Sequence, residues 1–582
     1  MSEDTFKFSI DNVEIEGKKG ETILQSALRS GKKFDLPFYC WHEELSSPAQ
    51  CRICQVEVDG WGKLVTSCST PANPDMKVST KSDKVKAARA GVMELYLLNH
   101  PLDCPICDKG GECKLQDYTM RYHLKPSAFT HHKIRRAKHK NMGRVIYDAE
   151  RCIVCTRCTR FDEEVVGDSQ IGVVNRGVGL EIDSFDGGEV THNFSGNFAD
   201  LCPVGAWTTK DYRFKSRPWQ LTKIDSPCTT CSNGCQAVYW QAKNKLHRIT
   251  AGKNSDINKR WICDKGREGY HLYNNVENRY EQPMVRGANG EFEECSWEEA
   301  ARIASEILRE SKSPAVFTTN LVTNEAANSL KDLAKDLNSS LNGSDNSALL
   351  ENWQAVVSKG MAQKGSAINH SAKRFVVVGL DLWETTPIFA VLSNKRKRDE
   401  GLVIEEVASL DKVSSNNNPT LLIIGEKELG DKSFSQKLDE LKNKGVTEIL
   451  PLFEGCNPRG LLESGITPFG SEVQGDKIAA GTALFLASDL SREKSFLPQF
   501  KQQLSNLDKL ILLDDVSSPM SEFASVILPT RNFAMSFGGI STFDNQSQVM
   551  KQVLQPTGAM KSVEEIVSLL SAHDHKHQEV PR

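Results

Sequence analysis

The stretch RCIVCTRCTRF, residues 151–161, carries three cysteines with two residues between each neighbouring pair. A fourth cysteine, in the dipeptide Cys202-Pro203, follows after an interval of 43 residues. Cysteines repeated at such short spacing favour a metal site over a disulfide framework. We therefore interpret Cys152, Cys155, Cys158 and Cys202 as one set of four ligands, called here the Cys152 set.

Three further sets of four candidate ligands lie on either side of this one. They are the Cys40 set (Cys40, Cys51, Cys54, Cys68), the His100 set (His100, Cys104, Cys107, Cys113) and the Cys228 set (Cys228, Cys231, Cys235, Cys263). Of the 17 cysteines only Cys295 and Cys456 remain outside the sets, and we expect both to be structural. One such centre could be an accessory to another activity, but four in a row suggest a chain of electron carriers.

The bulk properties exclude several other classes of protein. The chain has 582 residues, with 25% charged and 39% apolar residues, which is ordinary for a multidomain globular protein. A net charge of −4 gives no reason to expect a nucleic-acid partner. Runs such as 421–424 are too short to span a bilayer, and the start MSEDTFKF has no signal-peptide core. We therefore expect a cytoplasmic location, where disulfides are rare.

The spacing within the Cys40 set indicates the kind of metal centre. It has a long gap of ten residues, a tight Cys-x2-Cys pair and a distant fourth cysteine. That layout resembles the plant-type [2Fe–2S] pattern, although the first gap is longer than in plant ferredoxins. A zinc site is the alternative, but zinc sites usually pair two close knuckles, which the isolated Cys40 and Cys68 do not provide.

The Cys152 set begins like a bacterial ferredoxin run but lacks the nearby Cys-Pro. In two-cluster ferredoxins the Cys-Pro of one run ligates the cluster of the other run. Here Cys202-Pro203 has no Cys-x2-Cys-x2-Cys run of its own upstream. The cysteine count therefore excludes a two-cluster ferredoxin and predicts one [4Fe–4S] cluster held by this set.

The remaining two sets predict one [4Fe–4S] cluster each. The His100 set needs its histidine, because only three cysteines lie nearby; the alternative is a histidine that caps a helix beside a three-cysteine cluster. A neutral imidazole in place of a thiolate removes a negative charge and alters the potential, as in Rieske centres. The Cys228 set, with Lys265 and Gly266 beside its last cysteine, resembles the N-terminal [4Fe–4S] domain of molybdopterin oxidoreductases.

Hydrophobic periodicity predicts the elements that carry these ligands. Residues 6–10 and 13–16 alternate around Asp11-Asn12, which indicates a hairpin. A helix is expected from Thr22, with an apolar face of Ile23, Leu24, Ala27 and Leu28 and with Gly31 as its C-cap. A second helix is expected over 80–99, on a face that contains Val85, Ala88, Val92, Leu95 and Leu98, and to end at His100-Pro101.

Beyond residue 278 short apolar runs alternate with helical patterns, which is typical of parallel α/β layers. The predicted strands are 315–317, 375–378, 421–424, 484–486 and 510–513, and the clearest helices are 323–337 and 386–396, the latter with Pro387 at its first position. The basic runs 133–140 and 395–398 are interpreted as solvated surface, with a docking surface as the alternative.

All four motifs, in this order, resemble the large iron–sulfur subunit of bacterial NADH:quinone oxidoreductase, the respiratory complex I. The resemblance rests on CWHEELSSPAQCRICQVEV, HPLDCPICDKGGEC, RCIVCTRCTRF, NFADLCPVGAW and CTTCSNGCQ, and more weakly on SWEEA at 296–300. Ala49 and Gln50 depart from the Gly-Asn that the family usually has before Cys51. This departure could alter the backbone around the [2Fe–2S] cluster without removing a ligand.

The resemblance implies a multidomain α+β and α/β architecture. Its expected parts are a β-grasp [2Fe–2S] ferredoxin domain (1–78), a [4Fe–4S] domain with one histidine and three cysteine ligands (79–118), a [4Fe–4S] ferredoxin-like domain (119–218), a molybdopterin-oxidoreductase-type [4Fe–4S] domain (221–277) and a degenerate α/β molybdopterin-oxidoreductase domain without an active site (278–582). It implies one [2Fe–2S] cluster, three [4Fe–4S] clusters and no molybdopterin.

The resemblance also implies partners and a role. NADH is oxidised at a flavin on a partner subunit, and electrons pass through the clusters of the Cys40, Cys152 and His100 sets toward quinone-proximal iron–sulfur subunits. The Cys228 cluster is a structural side site that points to a bacterial chain. The other expected partners are a separate [2Fe–2S] subunit and, indirectly, the membrane arm, at the cytoplasmic face of the inner membrane. The chain is expected to share in an NADH dehydrogenase activity without a complete active site of its own.

Three alternatives share parts of this pattern. An NAD-linked molybdenum or tungsten formate dehydrogenase carries the same sets, but its catalytic body is about twice as long as the region after Cys263, and neither Cys295 nor Cys456 is followed by histidine. The pterin-side segment survives here only as Leu528-Pro529, Gly538-Gly539 and Gln548. An iron-only hydrogenase would need more cysteines after residue 275. A stand-alone iron–sulfur carrier or assembly scaffold stays open.

Overall fold

The computed structural model describes residues 5–127, 130–136, 138–274, 278–312, 314–344, 347–468, 481–486 and 507–575. The chain divides into two compact units, Met1–Leu221 and Thr222–Arg582. The first unit contains the Cys40, His100 and Cys152 sets, and the second contains the Cys228 set and the C-terminal α/β layers. Within the described ranges, every helix is too short or too polar to span a lipid bilayer.

The first unit opens with the expected hairpin. Strand β1 (Thr5–Ile10) pairs antiparallel with β2 (Val13–Lys18). The turn residues Asp11 and Asn12 have φ of 49° and 65°, the left-handed geometry of a tight hairpin turn. The sheet continues with β3 (Gln55–Val58), β4 (Val65–Thr66) and β5 (Lys77–Ser79) in the order β2-β1-β5-β3-β4. The apolar side chains of this sheet and the helix that follows β2 form a buried core.

Two helices of this unit begin or end close to the predicted positions, but their buried faces differ from the prediction. In helix Ile23–Arg29, Thr22 and Gln25 form a capping box, and Leu28 is about half exposed rather than buried. The C-cap is Ser30, and Gly31 follows it with φ of 69°. Helix Asp83–Leu97 buries Val85, Arg89 and Met93, so the expected face was wrong at Leu95, which is exposed.

The rest of the first unit is built from short elements that present ligand loops. Its helices are Lys114–Tyr122, Arg157–Phe161 and Asn197–Leu201, and the second of these continues as a π-helical turn, Asp162–Val166. Single 3₁₀ turns occupy Cys104–Ile106, Gly177–Gly179 and Pro218–Gln220. The strands are β6 (Lys140–Met142), β7 (Val145–Tyr147), β8 (Ile171–Val174), β9 (Glu181–Ser184) and β10 (Trp207–Thr209), arranged as β10-β7-β6 and β8-β9.

The second unit starts with an antiparallel sheet of β11 (Thr222–Pro227), β12 (Gln236–Ala242) and β13 (Lys245–Ala251). Three of the Cys228-set cysteines lie in the connection between β11 and β12. The fourth, Cys263, caps the short helix Asp264–Glu268, which is followed by helix His271–Asn274. The ligands of this set therefore come from a loop at one end of a hairpin and from a helix terminus.

The C-terminal part is layered, with one mixed and one parallel sheet covered by helices. Its strands are β14 (Met284–Arg286), β15 (Phe292–Glu294), β16 (Ala315–Thr318), β17 (Arg374–Val378), β18 (Val403–Val407), β19 (Thr420–Ile424), β20 (Val446–Pro451), β21 (Thr482–Leu486), β22 (Lys509–Asp514), β23 (Val526–Pro529), β24 (Gly538–Ser541) and β25 (Ser547–Met550). One sheet has the order β15-β14-β23-β22-β21-β16 and another β18-β17-β19-β20, while β24 pairs with β25. All strands predicted for this part are present, and they pair in parallel.

Helices cover both sheets, as the alternating pattern predicts. They are Trp297–Glu310, Asn324–Asp336, Ala348–Ser358, Leu382–Thr385, Pro387–Glu400, Glu426–Leu429, Phe434–Asn443, Pro458–Glu463 and Val563–His575. The helix predicted over 323–337 begins after its N-cap Thr323, and the one predicted over 386–396 has Pro387 at its first position and extends to Glu400. Among the described residues, apolar cores lie on both faces of the six-stranded sheet and against the four-stranded sheet.

Candidate metal centres

The thiols of the Cys40 set converge in a buried pocket. All four cysteines are buried, and the Sγ atoms of Cys54 and Cys68 lie 3.4 Å apart. The thiol of Cys40 contacts those of Cys51 and Cys68. Contact with Cys40, together with burial, raises the pKa of Cys51, whereas the hydrogen bond between Cys54 and Cys68 lowers the pKa of Cys54. The structure thus brings together all four thiols that the sequence groups.

The loop that presents Cys51 uses unusual backbone geometry. Ala49 and Arg52 have φ of 55° and 57°, in the left-handed region that L-residues avoid. The hydroxyl of Tyr96 donates a hydrogen bond to the Cys51 carbonyl oxygen, with a distance of 3.3 Å. Glycine at position 49 is therefore the residue that this conformation favours.

The thiols of the Cys152 set line one small pocket, part of which is open to solvent. Ile182, Val204 and Trp207 form its apolar walls. Burial raises the pKa of Cys152 and of Cys155 to about 12 and raises that of Cys158 well above its usual value. Four thiols that face one shared space with apolar walls match the donor set of a [4Fe–4S] cluster.

The His100 set is the most exposed of the four. Cys107 and Cys113 are buried, but Cys104 is exposed at the start of a single 3₁₀ turn. Burial raises the pKa of Cys107, and the nearby Cys104 adds to the shift. Burial also raises the pKa of Cys113 to about 11, and Cys107 adds to that shift. The three cysteines therefore lie within electrostatic reach of one another.

His100 lies just beyond the end of helix Asp83–Leu97. Lys133 Nζ donates to the carbonyl oxygens of Leu97, Leu98 and His100, so this lysine caps the helix. Burial, followed by the charges of Lys133 and Arg151, lowers the pKa of His100 to about 4. The imidazole is thus neutral near pH 7, as a metal ligand must be. Arg151 acts on both His100 and Cys107, and no direct His100–cysteine contact is among the described interactions.

In the Cys228 set, backbone and amide groups already point at sulfur. Asn233 Nδ2 donates to Cys235 Sγ at 3.1 Å, and the Gly266 N–H donates to Cys263 Sγ at 3.4 Å. The Cys263 thiol lies at the N-terminus of helix Asp264–Glu268 and serves as its cap. Burial nevertheless raises the pKa of Cys228 and, to about 12, that of Cys231. Donors aimed at thiolate sulfur are the means by which proteins tune iron–sulfur clusters.

The Cys40 and Cys152 sets are joined by side chains that lie between their loops. Gln50, next to Cys51, donates through Nε2 to the Val154 carbonyl at 2.8 Å and to Thr156 Oγ1 at 3.1 Å. Arg160 Nη2 donates to the Cys40 carbonyl at 2.5 Å. These contacts fix one ligand loop against the other.

The His100 and Cys152 sets are joined mainly through backbone groups. The Lys114 N–H, next to Cys113, donates to the Pro203 carbonyl at 3.0 Å, and Pro203 follows Cys202. Lys109 Nζ donates to the Ala199 carbonyl at 2.9 Å in the helix that leads to Cys202. The Cys152 set therefore contacts the loops of both other sets in the first unit.

Among the described residues, no group of three or more His, Cys, Asp or Glu side chains has the arrangement that a single bound metal ion needs. An iron–sulfur cluster contains several irons and bridging sulfides and spaces its ligands more widely than one ion does. Within the Cys40 set and within the Cys152 set, the four thiols face one pocket. Within the His100 set and within the Cys228 set, the cysteines lie in electrostatic reach of others of the same set. These donor sets fit iron–sulfur clusters in their chemistry.

The two cysteines outside the sets lie in the C-terminal layers. Cys295 is half-buried against the core around the six-stranded sheet, and its Sγ lies 3.8 Å from the Pro283 carbonyl oxygen. Cys456 is fully buried. The residues Gly538-Gly539 lie on β24, where the Gly539 N–H donates to Glu325 Oε2 at 2.7 Å, and Gln548 lies on β25.

Arg157 is a buried residue beside the ligands that the ligand pattern does not reveal. It sits in the stretch CTRC between two ligands, is only 5% exposed, and donates hydrogen bonds to backbone carbonyls on both sides. The signal in the sequence that could have identified Arg157 is its position, because it places a cation between two cysteine ligands.

Family models match the chain in five consecutive segments. A 2Fe-2S iron–sulfur cluster binding domain matches residues 3–83, and an NADH-ubiquinone oxidoreductase-G iron–sulfur binding region matches 89–127. The ferredoxin-like domain of NADH-quinone oxidoreductase subunit 3 matches 143–208. A molybdopterin oxidoreductase Fe4S4 domain matches 221–275, and a molybdopterin oxidoreductase model matches 279–433. These matches confirm the predicted fold class and the presence of [2Fe–2S] and [4Fe–4S] binding domains.

Curated relatives match about half of this sequence. A mitochondrial NADH dehydrogenase [ubiquinone] iron–sulfur protein 1 from Solanum tuberosum is 41% identical over 53% of this chain and 42% of its own length. An NADH-quinone oxidoreductase G subunit from Streptomyces coelicolor is 40% identical over 53% of this chain and 37% of its own length. The chain thus covers less than half of the length of either relative. A solved chain of an NAD⁺-reducing [NiFe]-hydrogenase is 27% identical over 37% of this chain and 91% of its own, with a TM-score of 0.33.

Proposed function

We propose that this chain is the iron–sulfur subunit of a proton-translocating NADH:quinone oxidoreductase and relays electrons from a flavin subunit toward quinone. The observation that carries the proposal is the arrangement of the first unit, where the loops of the Cys40, Cys152 and His100 sets are held together by direct hydrogen bonds. An electron relay needs its clusters at fixed, short separations. Hydrogen bonds between the ligand loops keep the three sites at fixed distances from one another.

In this proposal each set holds one cluster. The Cys40 set holds a [2Fe–2S] cluster, and the His100, Cys152 and Cys228 sets hold one [4Fe–4S] cluster each. A bound cluster supplies one-electron oxidation and reduction, and the chain's own residues set its potential. They do so by burying the thiols, by donating hydrogen bonds to sulfur from Asn233 and Gly266, and by providing the neutral imidazole of His100.

The C-terminal α/β layers serve as a scaffold in this proposal, without molybdopterin and without a catalytic residue on the chain. Of the cysteines beyond residue 263, Cys295 is half-buried against the core and Cys456 is fully buried. The proposed partners are the flavin and NADH-binding subunit, a separate [2Fe–2S] subunit and the quinone-proximal iron–sulfur subunits. The proposed location is the cytoplasmic face of a bacterial inner membrane.

The first experiment is a metal analysis of the anaerobically purified native complex. We expect roughly 14 irons per chain from one [2Fe–2S] and three [4Fe–4S] clusters, with no molybdenum or tungsten. Stoichiometric molybdenum or tungsten would show an active C-terminal domain of the formate dehydrogenase type. Zinc in place of iron would exclude electron transfer altogether.

A variant pair tests the relay itself. Cys202→Ser removes one ligand from the Cys152 set, and we expect a loss of about four irons per chain and of NADH-driven quinone reduction. Cys295→Ser is the matched control, because it also removes a thiol but leaves every set complete. Full quinone reduction by a Cys202→Ser complex that lacks the cluster would contradict the proposed path.

A further inference from the structure

We propose that Arg157 is a positioning residue shared by the Cys40 and Cys152 sites, which holds their ligand loops at a fixed separation and stabilises negative charge at both. The inference rests on the proposed function, since it requires that both sites hold clusters. Arg157 is not itself a ligand, so it acts on the clusters through the loops and through its charge.

The hydrogen bonds of Arg157 reach one ligand loop in each direction. Its Nη1 donates to the Leu201 carbonyl at 3.1 Å, directly before Cys202. Its Nη2 donates to the Trp41 carbonyl at 2.5 Å, directly after Cys40. A planar guanidinium fixes the directions of its donors, so the two carbonyls are held in one plane at a set distance. One side chain thereby joins the two sites.

The charge of Arg157 is not balanced by a carboxylate among its described hydrogen-bond partners, which are both backbone carbonyls. Its Nε is buried and has no acceptor in the described part of the chain. Burying a cation in this way is costly unless negative charge lies close by. The groups that supply negative charge are the cysteine ligands, because Arg157 lies between Cys155 and Cys158 in the chain and its donors end at the carbonyls next to Cys202 and Cys40.

Clusters bound by four thiolates carry net negative charge, which grows by one unit on reduction. A fixed cation between two such clusters therefore favours the reduced state of each and raises both potentials, because net charge and burial set the potential of a cluster. Arg160 supports the arrangement from the next turn, where its Nη2 donates to the carbonyls of Cys40 and, at 3.4 Å, of Cys155. Arg157 differs from Arg160 in that it reaches the Cys202 segment.

The test is a redox titration of the purified holo-complex, followed by electron paramagnetic resonance, with wild type, Arg157→Gln and Arg157→Lys. For Arg157→Gln we expect the reduction equilibrium of the Cys152-set cluster to shift at least tenfold toward the oxidised form, which is about 59 mV for one electron. Arg157→Lys keeps the charge but cannot reach both carbonyls. We expect it to shift the potential less and to change the magnetic interaction between the two clusters.

Arg89→Gln is the matched control. Arg89 is an equally buried arginine of the same unit, but its Nη1 is paired with Asp35 Oδ2 at 2.9 Å. We expect this control to lower thermal stability without moving the potential of the Cys152-set cluster. An equal shift in Arg89→Gln would show a general loss of packing and would overturn the inference.

A second readout is hydrogen exchange of the holo-complex. Exchange should be faster in Arg157→Gln than in wild type at residues 40–42 and 201–202 together, because one side chain restrains both segments. Unchanged potentials, magnetic interaction and exchange in variants with full iron content would overturn the inference while leaving the proposed function intact. If Arg157→Gln does not fold, the Arg157→Lys comparison decides. Wild-type protein without iron would instead defeat the proposed function.

Discussion

Gly205 lies directly against the sulfur of Cys107: a Cβ atom built on Gly205 would stand 2.1 Å from Cys107 Sγ. Gly205 belongs to the CPVGAW segment that begins with Cys202, whereas Cys107 belongs to the His100 set. The absence of a side chain at this residue is what allows the two sites to approach so closely. Since the φ of Gly205 is not positive, the requirement for glycine here is one of space and not of backbone geometry.

We therefore expect Gly205→Ala to displace Cys107 and to remove the His100-set cluster while the Cys152-set cluster remains. The measurement is iron content, expected to fall by about four per chain, together with the resonance signal of each cluster. Gly91→Ala is the control, because nothing lies within 4 Å of a Cβ at Gly91, in the middle of helix Asp83–Leu97. Full iron in Gly205→Ala would contradict the tight approach.

His100→Cys should keep a four-iron cluster and lower its potential. The pKa of about 4 makes His100 neutral at pH 7, so a thiolate in its place adds one negative charge to the site. We expect a drop of at least about 59 mV, a tenfold change in the reduction equilibrium. The Cys152-set cluster of the same variant is the internal control. An unchanged potential would indicate that His100 caps the helix without touching the cluster.

Ala49→Gly should stabilise the fold, because Ala49 occupies the left-handed region with φ of 55°. We expect the free energy of unfolding to rise by about 0.5–1 kcal/mol. The relief of backbone strain in the folded state is only slightly larger than the cost of the extra conformational entropy that glycine gives the unfolded chain. Thermal unfolding of the full chain measures it. Ala88→Gly, inside helix Asp83–Leu97, is expected to destabilise by about 1 kcal/mol instead. The same sign for both variants would refute the argument from backbone strain.

The pair Arg374–Glu405 should make the C-terminal layers sensitive to acid. Arg374 is fully buried and donates to both carboxylate oxygens of Glu405, at 2.9 and 2.6 Å. These hydrogen bonds hold the pKa of Glu405 below its usual value of 4.5. A lowered pKa in the folded state means that the pair stabilises the fold above the unfolded-state pKa and loses that effect as pH falls through the folded-state pKa.

Glu405→Gln should consequently cost about 1.5–3 kcal/mol at pH 7 and progressively less below about pH 4.5. Unfolding of wild type and variant across roughly pH 3–7 measures the difference. Asp399→Asn, which breaks the exposed pair with Lys395, is the control and should change stability by less than about 1 kcal/mol. A difference that stays constant down to the acid end of that range would show that the charge of Glu405 is not what matters.

The sequence was sufficient to predict those features whose residue pattern has a single physical cause. The continuous apolar runs of β17, β19 and β22 identify strands because both faces of a parallel sheet are buried. The ligand sets are visible because cysteines at metal-ligand spacing are rare by chance. The helix ending near His100 follows from the proline after it.

Other features depend on tertiary contacts and have no local signature. Leu28 and Leu95 fit an apolar helical stripe, yet they are exposed, while Arg89 of the second helix is buried because Asp35 supplies its counter-charge. The sequence predicts Lys133 to be part of a solvated basic run, but its ammonium group donates hydrogen bonds to three carbonyl oxygens at the end of a helix. The approach of Gly205 to Cys107 joins segments about a hundred residues apart, which periodicity and spacing do not report.

The exposure of Cys104 makes the His100 set the most sensitive of the four sets to oxidation in air. The other cysteines of the four sets are buried or half-buried, so a dissolved oxidant or alkylating agent meets Cys104 first. Oxidised sulfur no longer binds iron, and beyond the sulfenic acid stage the damage is irreversible. Under the proposed function, the His100 site is therefore the one that has to receive its cluster first, or be covered by a neighbouring subunit, while the complex is being assembled.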